Sequence, residues 1–256
     1  MSNKREREKR REERLQEETK VDSGERRKRL LQLGAGTVFV VIIAVVVLIV
    51  VNGSSSSSGG EAGHLKEIPA VDSLVAGIPQ KGLILGDPKA KVKLYEYGDL
   101  QCPVCKAYSE EVLPQVIDNK VKSGEASIQF RNFMIIGPQS LPAGAAALAA
   151  GVQGRGWNFI ELFYRNQGEE DSGYVTDEFL HSIAKGAGVK NIAQWEKERK
   201  SAKFEEEAKR TTEQAENFGF TGTPSFAIEG PNSNGIKLLG TPGGAEPIEE
   251  AIEEVS

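Results

Sequence analysis

The chain of 256 residues contains two cysteines, Cys102 and Cys105, which stand two residues apart in the stretch YGDLQCPVCK. A pair with this spacing occurs in metal sites, haem attachment sites, local disulfides and redox-active centres. A structural zinc site requires four Cys or His ligands, and an iron–sulfur cluster requires about four thiolates. Histidine occurs only at positions 64 and 181, and Lys106 stands where haem attachment requires a histidine. We therefore predict that the pair holds no metal and that the protein uses no other cofactor.

A local structural disulfide would close such a short loop that it would stabilise the fold by only about 2 kcal/mol, before any strain. A redox role agrees better with the neighbouring pattern. The stretch KVKLYEY at 91–97 alternates like a strand, and a helix is predicted from residue 102 to about 120, with Pro103 in its first turn. The sulfur of Cys102 would then lie at the positive end of the helix dipole, where the thiolate is favoured. We predict that Cys102 is the nucleophile and that Cys105 is the more buried, resolving thiol.

Glu96 lies six residues before Cys102 and shares one face of the predicted strand with Val92 and Leu94. Burying a carboxyl group is costly, so a core-facing position indicates a function. Beside two thiols, Glu96 is expected to accept and return the proton of Cys105. A register slip of one residue would instead leave Glu96 exposed to solvent.

The stretch FTGTPSF at 220–226 places Pro224 immediately before a predicted strand. A proline is excluded from the interior ladder of a central strand. A cis bond between Thr223 and Pro224 would leave the backbone groups of Thr223 free to pair with a substrate peptide. From the residues alone, cis is the less common of the two forms.

The remaining pattern predicts an α/β domain over residues 81–256, with a helical insertion at about 138–217. The predicted strands lie at 82–86, 91–97, 127–135, 225–229 and 236–239, and the predicted helices at 102–120, 140–152, 156–167, 176–186, 191–217 and from 245 onward. The aromatic residues of the second inserted helix, Trp157, Phe159, Phe163 and Tyr164, are expected in its core, although some could line a substrate groove.

The first third of the chain has a different character. Residues 1–30 carry twelve Lys/Arg and eight Asp/Glu, a net charge of +4, which leaves −9 for the rest of a chain whose total is −5. That acidic remainder argues against nucleic acid as a partner. Residues 31–51 include a run of 19 uncharged residues from position 33, long enough for a membrane-spanning helix. The basic residues before this run predict a cytoplasmic N-terminus and an extracytoplasmic domain.

We interpret the apolar run as an uncleaved signal anchor, because the preceding region is long and no A-x-A site follows it. A cleaved signal peptide is the alternative. Residues 52–80, which begin NGSSSSSGG, are interpreted as a flexible linker.

Several of these motifs together resemble the thioredoxin superfamily, in its DsbA-like branch with an inserted helical domain. The resemblance rests on Glu96 with CPVC, on FRNFMIIGPQS followed by AGAAALAAGVQGRGWNFIELFY, and on FGFTGTPSF, and it spans about residues 83–253. It implies a thioredoxin fold, nucleophilic attack by Cys102, proton transfer by Glu96 and a cis bond before Pro224. The residues expected to contact substrate are Pro103, Val104, Thr223 and Pro224.

The resemblance extends to membrane-anchored thiol–disulfide oxidoreductases of Gram-positive bacteria. It implies a protein that oxidises unfolded or reduced secreted proteins and is itself reoxidised by a separate membrane redox partner. We expect a monomer, because no dimerisation segment is recognised in the sequence. A reductase or isomerase, or a binding or chaperone module without enzymatic activity, remains an alternative. Val104 stands where DsbA-type motifs often carry a histidine, so we predict a less acidic Cys102 and a milder oxidant than the DsbA prototype.

Overall fold

The computed structural model describes residues 65–256. The predicted charged tail at 1–30, the predicted anchor at 31–51 and most of the predicted linker lie outside these residues. Within 65–256, no helix has the length and apolar character needed to cross a membrane.

The prediction that the linker extends to residue 80 is wrong. Helix α1 (Ile68–Leu74) lies inside that range and buries Val71 and Leu74 in the core of the domain. These two apolar residues are spaced by three positions, so they share one face of the helix. Because the segment is short and follows a Ser/Gly-rich stretch, its amphipathic spacing was missed.

In the described part of the chain, six strands form one sheet in the order β1-β2-β4-β3-β5-β6. The strands are β1 (Gln80–Lys81), β2 (Ile84–Leu85), β3 (Val92–Gly98), β4 (Ala126–Asn132), β5 (Ser225–Glu229) and β6 (Lys237–Gly240). The central pair β3 and β4 is parallel, and the other neighbours are antiparallel. Helices cover both faces of β3, which buries Leu94 on one face and Tyr97 on the other.

The crossover from β3 to β4 carries the two cysteines. The prediction of one continuous helix at 102–120 is wrong. The crossover consists of α2 (Pro103–Glu111), α3 (Leu113–Val116) and a π-helical turn (Ile117–Val121). The break falls at Val112, two residues before Pro114. A proline inside a helix lacks the N–H that would continue the ladder, and its ring clashes with the carbonyl four residues earlier.

Five helices lie between β4 and β5, as the predicted helical insertion requires. They are α4 (Ser140–Val152), α5 (Gly156–Arg165), α6 (Asp177–Gly186), α7 (Ile192–Arg199) and α8 (Ala202–Asn217), and α9 (Ala245–Val255) follows β6. The aromatic residues of α5 are fully buried, which confirms their predicted place in the core.

The predicted helix at 191–217 is divided at Lys200 and Ser201 into α7 and α8. Trp195 is buried and donates a hydrogen bond from Nε1 to the Ala146 carbonyl at 2.9 Å, while Phe204 is buried at the start of α8. Positions nine residues apart lie on opposite faces of a straight helix. The break allows both aromatic side chains to be buried.

Candidate active site

Cys102 stands at the N-terminus of α2, where β3 leads into the helix. It is the N-cap residue, Pro103 follows in the first turn, and the Cys102 sulfur accepts a hydrogen bond from the backbone N–H of Cys105 at 3.5 Å. No disulfide joins the two cysteines in this structure. Cys102 is 4% exposed and Cys105 is fully buried. The predicted positions of the two thiols are therefore confirmed.

The two thiols differ in acidity. A hydrogen bond from the Cys105 thiol, together with the backbone N–H groups of Val104 and Cys105, lowers the pKa of Cys102 to about 7, although burial opposes this. Burial, the Cys102 sulfur and the charge of Glu96 raise the pKa of Cys105 well above its ordinary value. At neutral pH, Cys102 is thus partly ionised and Cys105 is protonated. This modest acidity agrees with the absence of a charged side chain at position 104.

The loop before β5 lies directly against Cys102. The thiol of Cys102 donates to the Thr223 carbonyl at 3.4 Å, and the Thr223–Pro224 bond is cis. The loop is held by Thr241, whose hydroxyl donates to the Pro224 carbonyl at 2.7 Å. The hydroxyl oxygen of Thr223 is buried and has no hydrogen-bond partner among the described residues. Thr223 and Pro224 therefore lie beside the reactive sulfur, as expected.

Glu96 is 0% exposed, which confirms its predicted inward orientation on β3. Neither carboxyl oxygen has a hydrogen-bond partner within residues 65–256. Burial, with a smaller contribution from the charge of Glu161, raises the pKa of Glu96 to about 8. Glu96 is therefore mainly protonated at neutral pH and can donate a proton in the interior.

Glu161 is a second buried carboxyl group, which the sequence reading missed. It lies on α5, accepts a hydrogen bond from the Ser109 hydroxyl of α2 at 3.0 Å and forms an ion pair with Arg165. Burial raises the pKa of Glu161, while Arg165 opposes that shift. A single acidic residue within the apolar run WNFIELFY was the signal that could have identified it.

Asp99 is a third buried carboxyl group, three residues before Cys102. Its Oδ2 atom accepts backbone N–H bonds from Ile135 at 2.8 Å and Ile136 at 3.0 Å, and its Oδ1 atom accepts one from Gln101 at 2.9 Å. The prediction that β4 extends to residue 135 is wrong: β4 ends at Asn132, because the N–H of Met134 donates to the Thr212 hydroxyl at 3.1 Å and those of Ile135 and Ile136 donate to Asp99 instead of continuing the ladder. Asp99 joins the cysteine loop to the segment after β4.

The side chains between the two cysteines face solvent. Pro103 is exposed and Val104 is 44% exposed. Ile135, which Asp99 holds close to the cysteine loop, is also 44% exposed. Pro103, Val104 and Ile135 are therefore exposed apolar side chains on the cysteine loop and on the segment bonded to it, and Ile135 is one that the sequence reading did not identify.

Comparison with known proteins agrees with this geometry. A family model described as thioredoxin matches residues 79–242. The probable disulfide bond formation protein D of Bacillus cereus is 30% identical over 153 residues, which cover 59% of this chain and 71% of that protein. Disulfide bond formation protein D of Bacillus subtilis is 28% identical over 104 residues, which cover 40% of this chain and 47% of that protein.

Solved structures show the same fold at low sequence identity. The crystal structure of oxidised BdbD from Bacillus subtilis aligns with a TM-score of 0.60 at 20% identity, over 69% of this chain and 96% of that chain. The structure of α-DsbA1 from Wolbachia pipientis aligns with a TM-score of 0.57 at 19% identity, over 70% and 91%. The chain therefore has a DsbA-like thioredoxin fold, and by its family model and its Bacillus cereus relative it belongs to the thioredoxin family and is a thiol:disulfide oxidoreductase.

Proposed function

We propose that this protein donates disulfides to secreted or cell-surface proteins outside the cytoplasm, with Cys102 and Cys105 as its redox pair. The observation that carries the proposal is the placement of the two thiols: Cys102 lies at the N-terminus of α2 beside the Thr223 carbonyl, whereas Cys105 is fully buried, and the pKa of Cys102 is lowered while that of Cys105 is raised. A thiol of lower pKa is the better leaving group in disulfide exchange. A second substrate thiolate therefore displaces Cys102 readily from a mixed disulfide, and the disulfide is transferred to the substrate.

The exchange proceeds in two steps. A substrate thiolate attacks the Cys102 sulfur of the oxidised enzyme, the Cys102–Cys105 bond breaks, and Cys105 leaves as a thiolate. A second substrate thiolate then attacks the substrate sulfur of the mixed disulfide and displaces Cys102 as a thiolate. The substrate loses two electrons and gains a disulfide, and the enzyme becomes the dithiol.

Glu96 supplies the proton that the first step requires. The pKa of Glu96 is about 8, and that of Cys105 is raised well above its ordinary value, so a proton moves favourably from the carboxyl group to the new thiolate. The proton returns to Glu96 when the pair is reoxidised. This assigns Glu96 as the internal acid and base.

Substrate contact is assigned to the surface around Cys102. The exposed side chains of Pro103 and Val104 offer apolar contact to an unfolded polypeptide. The backbone groups of Thr223, which precedes the cis bond to Pro224, pair with the substrate backbone. A bound substrate strand would replace the bond that Thr223 now accepts from the Cys102 thiol.

The location of the reaction is proposed from the N-terminal sequence. The basic tail at 1–30 and the apolar run at 31–51 support a chain anchored by one helix, with its N-terminus in the cytoplasm. Disulfides persist outside the cytoplasm, where oxidising conditions prevail. A separate membrane redox partner would withdraw the two electrons from the dithiol and so renew the disulfide.

The direction of electron flow is tested with the full-length chain in detergent, equilibrated against glutathione buffers. A disulfide donor is expected to have a potential well above −200 mV, whereas a value near −270 mV, as in thioredoxin, would indicate a reductase. The oxidised protein should also introduce disulfides into reduced ribonuclease, and Cys102→Ser should abolish this. Binding of reduced ribonuclease without exchange would indicate a chaperone module instead.

A further inference from the structure

The helical insertion holds the backbone of the cysteine loop through one side-chain amide. Gln167, just beyond the end of α5, donates from Nε2 to the Leu100 carbonyl at 2.7 Å and to the Cys102 carbonyl at 3.1 Å. A primary amide has two N–H donors, so these two bonds use its full donor capacity. The same side chain thus binds the loop just before and directly at the reactive cysteine.

A second residue of the insertion adds to this contact. The hydroxyl of Tyr164, on α5, donates to the Asp99 carbonyl at 3.3 Å. The position of Gln167 is in turn set by its backbone N–H, which donates to the Tyr164 carbonyl at 3.1 Å. The insertion therefore binds the carbonyl groups of Asp99, Leu100 and Cys102. These hydrogen bonds restrict the conformation of the loop from which α2 begins.

The Cys102 carbonyl connects this contact to the reactive sulfur, because both groups belong to the same residue. The same oxygen accepts the N–H of Lys106 at 3.1 Å, which is the first hydrogen bond of α2. The orientation of the Cys102 backbone decides whether its sulfur lies over the N-terminus of α2 and accepts the N–H of Cys105. A residue that fixes this carbonyl therefore controls how well the helix stabilises the thiolate.

We propose that Gln167 is a positioning residue for thiol–disulfide exchange: by binding the Leu100 and Cys102 carbonyls it keeps the Cys102 sulfur over the N-terminus of α2. This inference rests on the assignment of Cys102 as the nucleophile. It makes the helical insertion part of the redox centre, because a side chain 65 positions after Cys102 sets the environment of that thiol.

The test is Gln167→Met, which has similar volume and no charge but lacks the two donors. Gln153→Met is a matched control, because the Gln153 amide also lies in the insertion and binds backbone groups of Asn191, at 2.9 and 2.8 Å, outside the cysteine loop. The full-length reduced protein is alkylated with iodoacetamide between pH 5 and 9, and its equilibrium with glutathione is measured.

We expect Gln167→Met to move the alkylation midpoint of Cys102 to higher pH and to slow alkylation at pH 6 by about three- to tenfold. The glutathione equilibrium should shift toward the disulfide form, because the thiolate is less stabilised. Gln153→Met should leave both quantities unchanged. A Gln167→Met variant that loses thermal stability but keeps the wild-type midpoint and equilibrium would overturn the proposal and show a merely structural role.

Two further variants keep the outcome interpretable. If Gln167→Met does not fold, Gln167→Asn shortens the amide by one methylene and is measured in the same way, with the same expected direction. Cys102→Ser identifies the titrating thiol: if the low midpoint survives it, the nucleophile assignment fails, and the proposal for Gln167 fails with it. The midpoint is independent of the direction of electron flow, so a reductase potential would leave the inference about Gln167 standing.

Discussion

The reactive chemistry of this protein depends on a few buried groups whose proton affinities differ from their ordinary values. Glu96 has no hydrogen-bond partner in the described part of the chain, and its pKa is raised to about 8. A carboxyl group whose pKa is higher in the folded state binds more protons than in the unfolded state, so it lowers stability as pH rises. Its influence on stability is therefore measurable apart from catalysis.

We predict that Glu96→Gln removes a pH dependence from the free energy of unfolding. The wild-type protein should lose stability relative to the variant as pH rises from about 4.5 to about 8, because the carboxyl group must ionise in the core. The slope should be at most about 1.4 kcal/mol per pH unit. Urea unfolding of both proteins at pH 5 and pH 8 measures it, and the exposed Glu206→Gln serves as control. Parallel stability curves for wild type and Glu96→Gln would contradict the assignment.

A second residue-level prediction concerns the interaction between the two thiols. The largest cause of the lowered pKa of Cys102 is the hydrogen bond from the Cys105 thiol. Cys105→Ala removes that donor, so the alkylation midpoint of Cys102 should rise above about 7. Cys105→Ser keeps a hydroxyl donor at the same place and should raise it less. Midpoints that stay at the wild-type value in both variants would mean that the backbone N–H groups alone set the acidity.

At the scale of elements, the site depends on the contact between two loops at the carboxyl ends of β3 and β4. The carboxylate of Asp99 accepts N–H bonds from Gln101 in one loop and from Ile135 and Ile136 in the other. Hydrogen bonds to a buried charged group contribute more than neutral ones. The position of the exposed Ile135 side chain relative to the cysteine loop therefore depends on one carboxylate.

We predict that Asp99→Asn lowers the free energy of unfolding by about 1.5–3 kcal/mol, because the NH2 group of the amide must face at least one N–H donor. Chemical unfolding at neutral pH measures the change. Asp87→Asn is the control: Asp87 also accepts a backbone N–H bond, from Lys89 at 2.8 Å, but in an exposed turn. A change within about 0.5 kcal/mol is expected there. Similar decreases in the free energy of unfolding for both variants would show that the buried Asp99 bonds stabilise the protein no more than the exposed Asp87 bond does.

At the scale of the whole molecule, the proposed function requires the redox domain and its anchor to lie on the correct sides of a membrane. The apolar run at 31–51 should retain the chain in the membrane fraction until detergent is added. Protease applied outside intact cells from which the wall has been removed should digest the domain at 65–256 and spare the tail at 1–30. Recovery of the chain in the soluble fraction, or protection of the domain, would contradict the proposed location.

Much of the arrangement follows from local patterns in the sequence. The alternation of KVKLYEY predicts the inward position of Glu96, and the proline after Cys102 predicts the start of α2. Strand and helix periods encode which side of an element faces the core, so these features are readable without knowledge of the partners. The prediction of one continuous helix at 191–217 was wrong, because α7 and α8 both have the helical period and the period alone does not show the break between them.

The sequence by itself thus determined the redox pair, the helix that activates Cys102, the strand that carries Glu96 and the loop that carries Pro224. Only the tertiary structure decided which side chains complete the site. Glu161 and Gln167 belong to the helical insertion and come from more than 50 positions away to contact α2 and the cysteine loop. The physical reason is that spacing along the chain reports the face on which a residue lies, whereas the partner across the core depends on how whole elements pack.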